Sequence, residues 1–257
     1  MSILDRMNLT GKVALVTGGA GDMGKAIAIQ LRNLGATVVL ADLKDNVGQV
    51  AASLSTDGHK VDWVKIDVSD SKSVDAGVAE TVKRHGGLHV LVANAGISYE
   101  QSTLEHSDEN WRRVMAVNLD GAFFCIRAAG RQMAANGGGS IIAISSICSV
   151  TTSRPEIHIG YDVSKAGIGH MCRNVAIEWA SKNIRVNAVG PGYTDTVMLE
   201  EVGKTRPAVM KQWLEDMPIH RLMAPREIAD AVAFLASDAA SGITGHELMV
   251  DGGYSVS

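Results

Sequence analysis

Short apolar runs alternate with longer segments of mixed polarity along the chain. Lys12–Thr17 (KVALVT), Thr37–Ala41 (TVVLA), Val61–Ile66, Leu88–Ala93 (LHVLVA), Ser140–Ser145 (SIIAIS), Arg185–Ala188 and Glu247–Val250 read as seven strands. Between them, Met23–Leu34, Val47–Leu54, Ser71–His85, a stretch from about Asp108 to Ala135, Gly160–Ser181 and Pro225–Ala236 carry helical spacing. Gly35, Gly86–Gly87 and Gly137–Gly139 stop the helices before them, and Pro225 sits where a first helical turn accepts proline. The strands are apolar throughout instead of alternating, as expected when helices cover both sheet faces. The rhythm predicts an α/β fold with a doubly wound parallel sheet, one domain over residues 1–257. Residues 191–218 break that rhythm. Rich in Gly, Thr, Met and charge, and too long for an ordinary connection, they read as a functional loop or small helical flap over a substrate.

Composition narrows the picture. Of 257 residues, 46% are hydrophobic and the net charge is −4, which supplies a large core and disfavours partners recruited by positive charge, nucleic acid or an anionic membrane surface. Asp5 and Arg6 stand where a signal peptide needs an apolar core, and no apolar stretch reaches the length of a membrane span. A soluble, cytoplasmic protein is expected. Cys125, Cys148 and Cys172 form no C-x-x-C pair and read as reduced interior thiols. No catalytic metal is expected from the eight histidines.

The first strand runs directly into a glycine-rich turn and a helix, VALVTGGAGDMGKAIA. Glycine permits a tight turn and close approach of phosphates, and the helix start offers unpaired N–H groups and a positive dipole end. Asp42 ends the second strand, where a carboxylate accepts both ribose hydroxyls of NAD and repels the 2′-phosphate of NADP. Leu43 follows in place of an arginine, and the glycine turn holds none, although Lys44 could soften the preference.

Tyr161 and Lys165 form Y-x-x-x-K at the opening of the helix after the fifth strand, on one helix face. Alcohol oxidation needs a base for the hydroxyl proton, and an ordinary tyrosine with a pKa near 10 is too weak at neutrality. Lowering it to about 7 requires ~4 kcal/mol. An ammonium about 4 Å away supplies ~4 kcal/mol at an effective dielectric near 20. The expectation is that Lys165 activates Tyr161, with help from a positive nicotinamide ring.

These motifs resemble those of the short-chain dehydrogenase/reductase family, over almost the whole chain. Thr17, Gly18 and Gly24 match its T-G-x-x-x-G-x-G fingerprint, but Asp22 replaces the middle glycine. Asp22 is expected to cap the following helix. The resemblance implies a Rossmann-type fold and a cofactor site that includes Gly18, Asp22, Met23, Gly24, Asp42, Asp67, Val68, Asn94 and Gly96. In the same way, Pro191, Gly192, Thr194 and Thr196 fall on the P-G-x-x-x-T motif, and Tyr161 and Lys165 would also touch the nicotinamide ribose. The implied catalytic set is Asn118, Ser146, Tyr161 and Lys165, with Asn118 kinking its helix and holding a water that links Lys165 to solvent. Ser145, Cys148 and Ser149 compete with Ser146 for the serine's place.

Several segments, among them WRRVMAVNLDGAFF and TRPAVMKQWLEDMPIHR, resemble bacterial sugar-alcohol dehydrogenases of that family. This implies oxidation of a linear polyol with NAD and a homotetramer built on the two long helices. Cys148, Glu156, His158 and Trp213 are candidate substrate contacts, with Met198 and Met217 closing the flap. Reduction of 3-oxoacyl thioesters with NADPH and a catalytically silent NAD-binding scaffold are the alternatives.

Overall fold

The computed structural model describes residues 1–257, apart from the side chain of Met198. In chain order its elements are α1 (Ile3–Met7), β1 (Val13–Thr17), α2 (Asp22–Asn33), β2 (Thr37–Asp42), α3 (Val47–Leu54), β3 (Val61–Lys65), α4 (Ser71–His85) and β4 (Val90–Ala93). There follow α5 (Asp108–Met115), α6 (Gly121–Ala135), β5 (Gly139–Ile144), α7 (Ile159–Trp179), β6 (Ile184–Pro191), α8 (Val197–Thr205), α9 (Pro207–Asp216), α10 (Pro225–Ala236) and β7 (Glu247–Val250). The seven strands make one parallel sheet in the order β3-β2-β1-β4-β5-β6-β7. The order reverses between β1 and β4, and a crevice opens at the carboxyl ends of strands flanking such a switch point.

Alternate strand residues serve opposite faces. Val13, Leu15, Val39 and Leu91 join Val74 and Val78 of α4, Ile126 and Met133 of α6, and Ile168 and Cys172 of α7. Ala14, Val16, Val38, Leu40 and Val92 join Ile27 and Leu31 of α2, Val47 of α3 and Ile228 and Val232 of α10. β1, β2 and β4 are therefore apolar on both sides.

The differences from expectation have local causes. A capping box between Ser2 and Asp5 makes the short α1, which the apolar pattern did not show. β6 continues past Ala188 to Pro191, because Val189, Gly190 and Pro191 pair with Leu248, Met249 and Val250 of β7. Glycine and proline hid that extension. The stretch read as a flap holds two helices, α8 and α9, the second opened by Pro207. The long helical segment is interrupted between α5 and α6 by a π-helical turn, Ala116–Asp120.

Candidate active site

The crevice floor begins with the turn between β1 and α2. Gly18 has φ +62°, and a Cβ there would lie 2.9 Å from the Cα of Ala95. A Cβ on Gly24 would lie 2.3 Å from the carbonyl oxygen of Gly18, so the helix can approach the turn only because residue 24 has no side chain. Asn94, at the end of β4, donates through Nδ2 to the carbonyls of Thr17 (2.8 Å) and Gly18 (3.2 Å), while Thr17 Oγ1 accepts the Asn94 N–H (3.0 Å). The Oδ1 of Asn94 is buried without a partner. Asp42 accepts the N–H groups of Ala20 and Lys44, both at 3.0 Å, and keeps lone pairs on each oxygen. The orphaned Asn94 oxygen, the cradle at Gly18 and Gly24 and the free N–H groups of α2 fit the phosphate and ribose portions of a dinucleotide.

The other candidate cofactor residues border the same crevice or its rim. Asp67 follows β3 with Val68, its carboxylate accepting the backbone N–H (2.9 Å) and hydroxyl (2.6 Å) of Ser69. A Cβ on Gly96 would lie 3.5 Å from Lys165 Nζ. Pro191 ends β6, a Cβ on Gly192 would meet the Asp251 Cα at 2.7 Å, and Thr194 Oγ1 donates to the Gly192 carbonyl (2.9 Å). Thr196 caps α8, and Met23 packs against the core under α2.

Asp22 corrects the capping expectation. The N-cap of α2 is Gly21, and Asp22 is already the first helical residue, out of reach of the N–H groups further along its own helix. Its carboxylate instead accepts the N–H of Val197 (3.1 Å), the first residue of α8, with Lys25 Nζ at 3.3 Å. That hydrogen bond from Val197 is the main reason its pKa lies below the ordinary value. The residue in the glycine's place thus holds the start of the flap.

Tyr161 and Lys165 lie in the first turns of α7, with Lys165 Nζ 5.4 Å from the centre of the Tyr161 ring. Lys165 is 3% exposed and donates to the Ile144 carbonyl at the end of β5 (2.7 Å). Ser146 follows β5, and its Oγ accepts the Cys148 N–H (3.2 Å). Of its competitors, Ser145 donates to the Val189 carbonyl (3.0 Å) and Ser149 contacts the Ser146 carbonyl and Glu247. Cys148 packs in the apolar wall. Asn118 is fully buried in the π-turn; Oδ1 accepts the Ile97 N–H (2.8 Å), and Nδ2 donates to the Ile97 carbonyl (2.9 Å) and to Ser164 Oγ (3.0 Å). Ser164 in turn donates to the Tyr161 carbonyl (2.7 Å), a bracing partner not singled out from the sequence.

The electrostatics of the chain alone reverse one expectation. Burial pushes Tyr161 above its ordinary pKa, and the nearby Ser146 side chain only opposes this. Burial pushes Lys165 down to about 8. The low-dielectric surroundings disfavour both charges, and the ammonium is committed to a carbonyl. Lys165 alone does not make Tyr161 a base at neutrality.

Beyond Tyr161 lies a third apolar cluster of Ile147, Cys148, Tyr193, Trp213, Met217 and Tyr254. Tyr193 stacks on Trp213 with ring centres 4.3 Å apart, and its hydroxyl reaches Glu156 Oε2 (3.2 Å). Glu156 Oε1 and Trp213 Nε1 are buried without partners. Met198 lies in α8, but its side chain is outside the described residues. His158 Nδ1 lies 2.8 Å from Asp162 Oδ1, and its ring meets that of Tyr161 edge-on at 5.2 Å. Burial opposes protonation of His158, but Asp162 and Glu156 outweigh it and hold the imidazole above its ordinary value. Cys148, His158 and Asp162 also bring three metal-ligating atoms within 4.8 Å of one another, a grouping hidden from a search for histidine spacings. Tyr193, Asp162 and Ser153 were missed. Tyr193 directly follows the Pro191-Gly192 pair, and this adjacency was the one available signal.

A family model described as Enoyl-(Acyl carrier protein) reductase matches residues 18–255. The chain is 41% identical over 244 residues to a cis-4-hydroxycyclohexanecarboxylate dehydrogenase of Sinomonas cyclohexanicum, covering 95% of this chain and 96% of that one. It is 38% identical over 255 residues to a galactitol 2-dehydrogenase of Rhizobium johnstonii, covering 99% of both. The crystal structure of gox2181 superposes with a TM-score of 0.97 at 36% identity over the full length of both chains.

Proposed function

The chain belongs to the short-chain dehydrogenase/reductase family of oxidoreductases, and from that premise we propose that it oxidises a secondary hydroxyl of a linear polyol to a ketose with NAD+. The observation that carries this reading is the convergence of Tyr161, Ser146 and Lys165 at the carboxyl ends of the central strands. Ser146 orients the substrate oxygen, and Tyr161 accepts its proton. Lys165 holds the nicotinamide ribose, and Asn118 and Ser164 brace the first turn of α7. NAD+, when bound, supplies the hydride acceptor and a positive charge that favours the phenolate.

Asp42 supports NAD over NADP, since its free lone pairs suit a ribose diol and its charge opposes a 2′-phosphate. The cofactor contacts are those named above from Gly18 to Thr196. The orphaned acceptor on Glu156 and donor on Trp213 support a substrate bearing several hydroxyls. The flap of residues 191–218 closes this side. A second reading, a cyclic secondary alcohol, is favoured by the Tyr193–Trp213 stack, which offers an aromatic wall. Reduction of 3-oxoacyl thioesters with NADPH is disfavoured by Asp42, and a silent scaffold by the retained Tyr161 and Lys165.

A homotetramer is supported by exposed apolar residues on the long helices, Phe123, Val163 and Ile177. Three buried thiols suit a cytoplasmic protein. Among the described residues no helix is long and apolar enough to cross a membrane. A panel of polyols and cyclic alcohols, followed by NADH absorbance, tests the assignment. Turnover of a polyol is expected; silence across all polyols with turnover of another class would overturn it.

A further inference from the structure

The geometry points to a cation site on the substrate side, in which Cys148, His158 and Asp162 bind a thiophilic divalent ion such as Zn2+ and thereby close the space beside Tyr161. One ligand atom from each residue lies within 4.8 Å of the other two. Tetrahedral zinc, with bonds of about 2.0 to 2.3 Å, sets its ligands roughly 3.3 to 3.8 Å apart, so small side-chain rotations complete the site. His158 Nδ1 and Asp162 Oδ1 are buried and only 2.8 Å apart, within ion-pair distance, yet neither atom makes a hydrogen bond. A cation can take the place of a proton between two such atoms.

The surroundings support the ligands. Ser153, itself 3% exposed, lies 3.4 Å from His158 Nε2 and 3.6 Å from Cys148 Sγ, so one hydroxyl orients two ligands. A metal-binding histidine commonly has its second ring nitrogen held in this way. The charges also match. Cys148 binds as thiolate, its proton passing to solvent, His158 binds neutral and Asp162 binds as carboxylate, which together cancel the two positive charges. A mixed sulfur, nitrogen and oxygen set favours Zn2+ or Co2+ over Mg2+ or Ca2+. The ion site stands independently of the substrate assignment. Its blocking effect rests on the reading of Tyr161 as the base, whose ring is 5.2 Å from that of His158.

Titration with Co2+ tests the site directly, because a thiolate on tetrahedral Co2+ gives a near-ultraviolet charge-transfer band and strong visible bands. One Co2+ per chain with both features is expected, bleached by Zn2+. Cys148→Ser should remove the charge-transfer band, and Asp162→Asn and His158→Asn should weaken Co2+ binding at least tenfold. If Cys148→Ser does not fold, the nearly isosteric Asp162→Asn carries the test. Absence of the band, or an undiminished band in Cys148→Ser, would overturn the site. Co2+ bands accompanied by unchanged alcohol turnover would overturn the blocking effect while leaving the site intact.

Discussion

The two sides of the crevice are built by different means. The cofactor side is made of backbone: Gly18 and Gly24 permit contacts that any Cβ would prevent, and Asn94 stitches the ends of β1 and β4 together. The substrate side is made of side chains: stacked Tyr193 and Trp213, a half-buried glutamate with one oxygen buried and unpaired, and a cysteine–histidine–aspartate group. Backbone constraints leave little room for variation, whereas side chains on a flap can be exchanged while the chemistry stays. One side thus defines the reaction and the other selects the molecule that undergoes it.

The comparison predicts graded effects. Tyr161→Phe removes the proposed proton acceptor at the junction of the two sides. It should lower kcat by about 10³-fold, near the middle of the range for general acid–base groups, with NAD+ affinity within a few fold of the parent. Steady-state NADH formation and calorimetry measure the two quantities. Gly24→Ala adds a methyl 2.3 Å from a backbone oxygen. Overpacking of this kind costs roughly 1–3 kcal/mol, so NAD+ binding should weaken about tenfold or more and the Tm should fall. An unchanged isotherm would show that the turn is looser than described.

Asp42→Ala should lower the ratio of NAD+ to NADP+ efficiency about tenfold, a change near 1.4 kcal/mol. An unchanged ratio would remove the cofactor argument. On the other side, Trp213→Phe keeps the stacked ring but deletes the orphaned N–H. It should raise the KM for a polyol several fold, about 1 kcal/mol for one hydrogen bond, with kcat nearly constant. The smallest effect belongs to the contact that joins the sides. Asp22→Asn weakens the hold on the Val197 N–H and should increase hydrogen exchange in α8 by a few fold while β1 is unaffected.

Legibility in the sequence followed the same division. The strands, the glycine turn, Asp42 and the Tyr161–Lys165 pair could be found because each depends on neighbours close in sequence. Tyr193 and Glu156 meet across 37 positions, and Asp22 and Val197 across 175, so neither pairing leaves a local pattern. Asp22 was visible as a departure from a glycine fingerprint, but its partner was not. The cysteine–histidine–aspartate group leaves no local pattern, because Cys148 lies ten positions before His158 and Asp162 falls inside the Y-x-x-x-K motif. The charge state of the Tyr161–Lys165 pair is hidden for a different reason: it depends on burial, which disfavours both charges and which spacing does not reveal.

On the proposed function, Tyr161 serves as a base only when the positive charge of the oxidised cofactor joins Lys165. An ultraviolet titration of tyrosine ionisation, taken as the difference between the parent chain and Tyr161→Phe, tests it directly. Without cofactor Tyr161 should ionise above its ordinary value near 10. With saturating NAD+ the transition should move down toward neutrality. Ionisation near neutrality in the chain alone, or no movement on adding NAD+, would contradict the account.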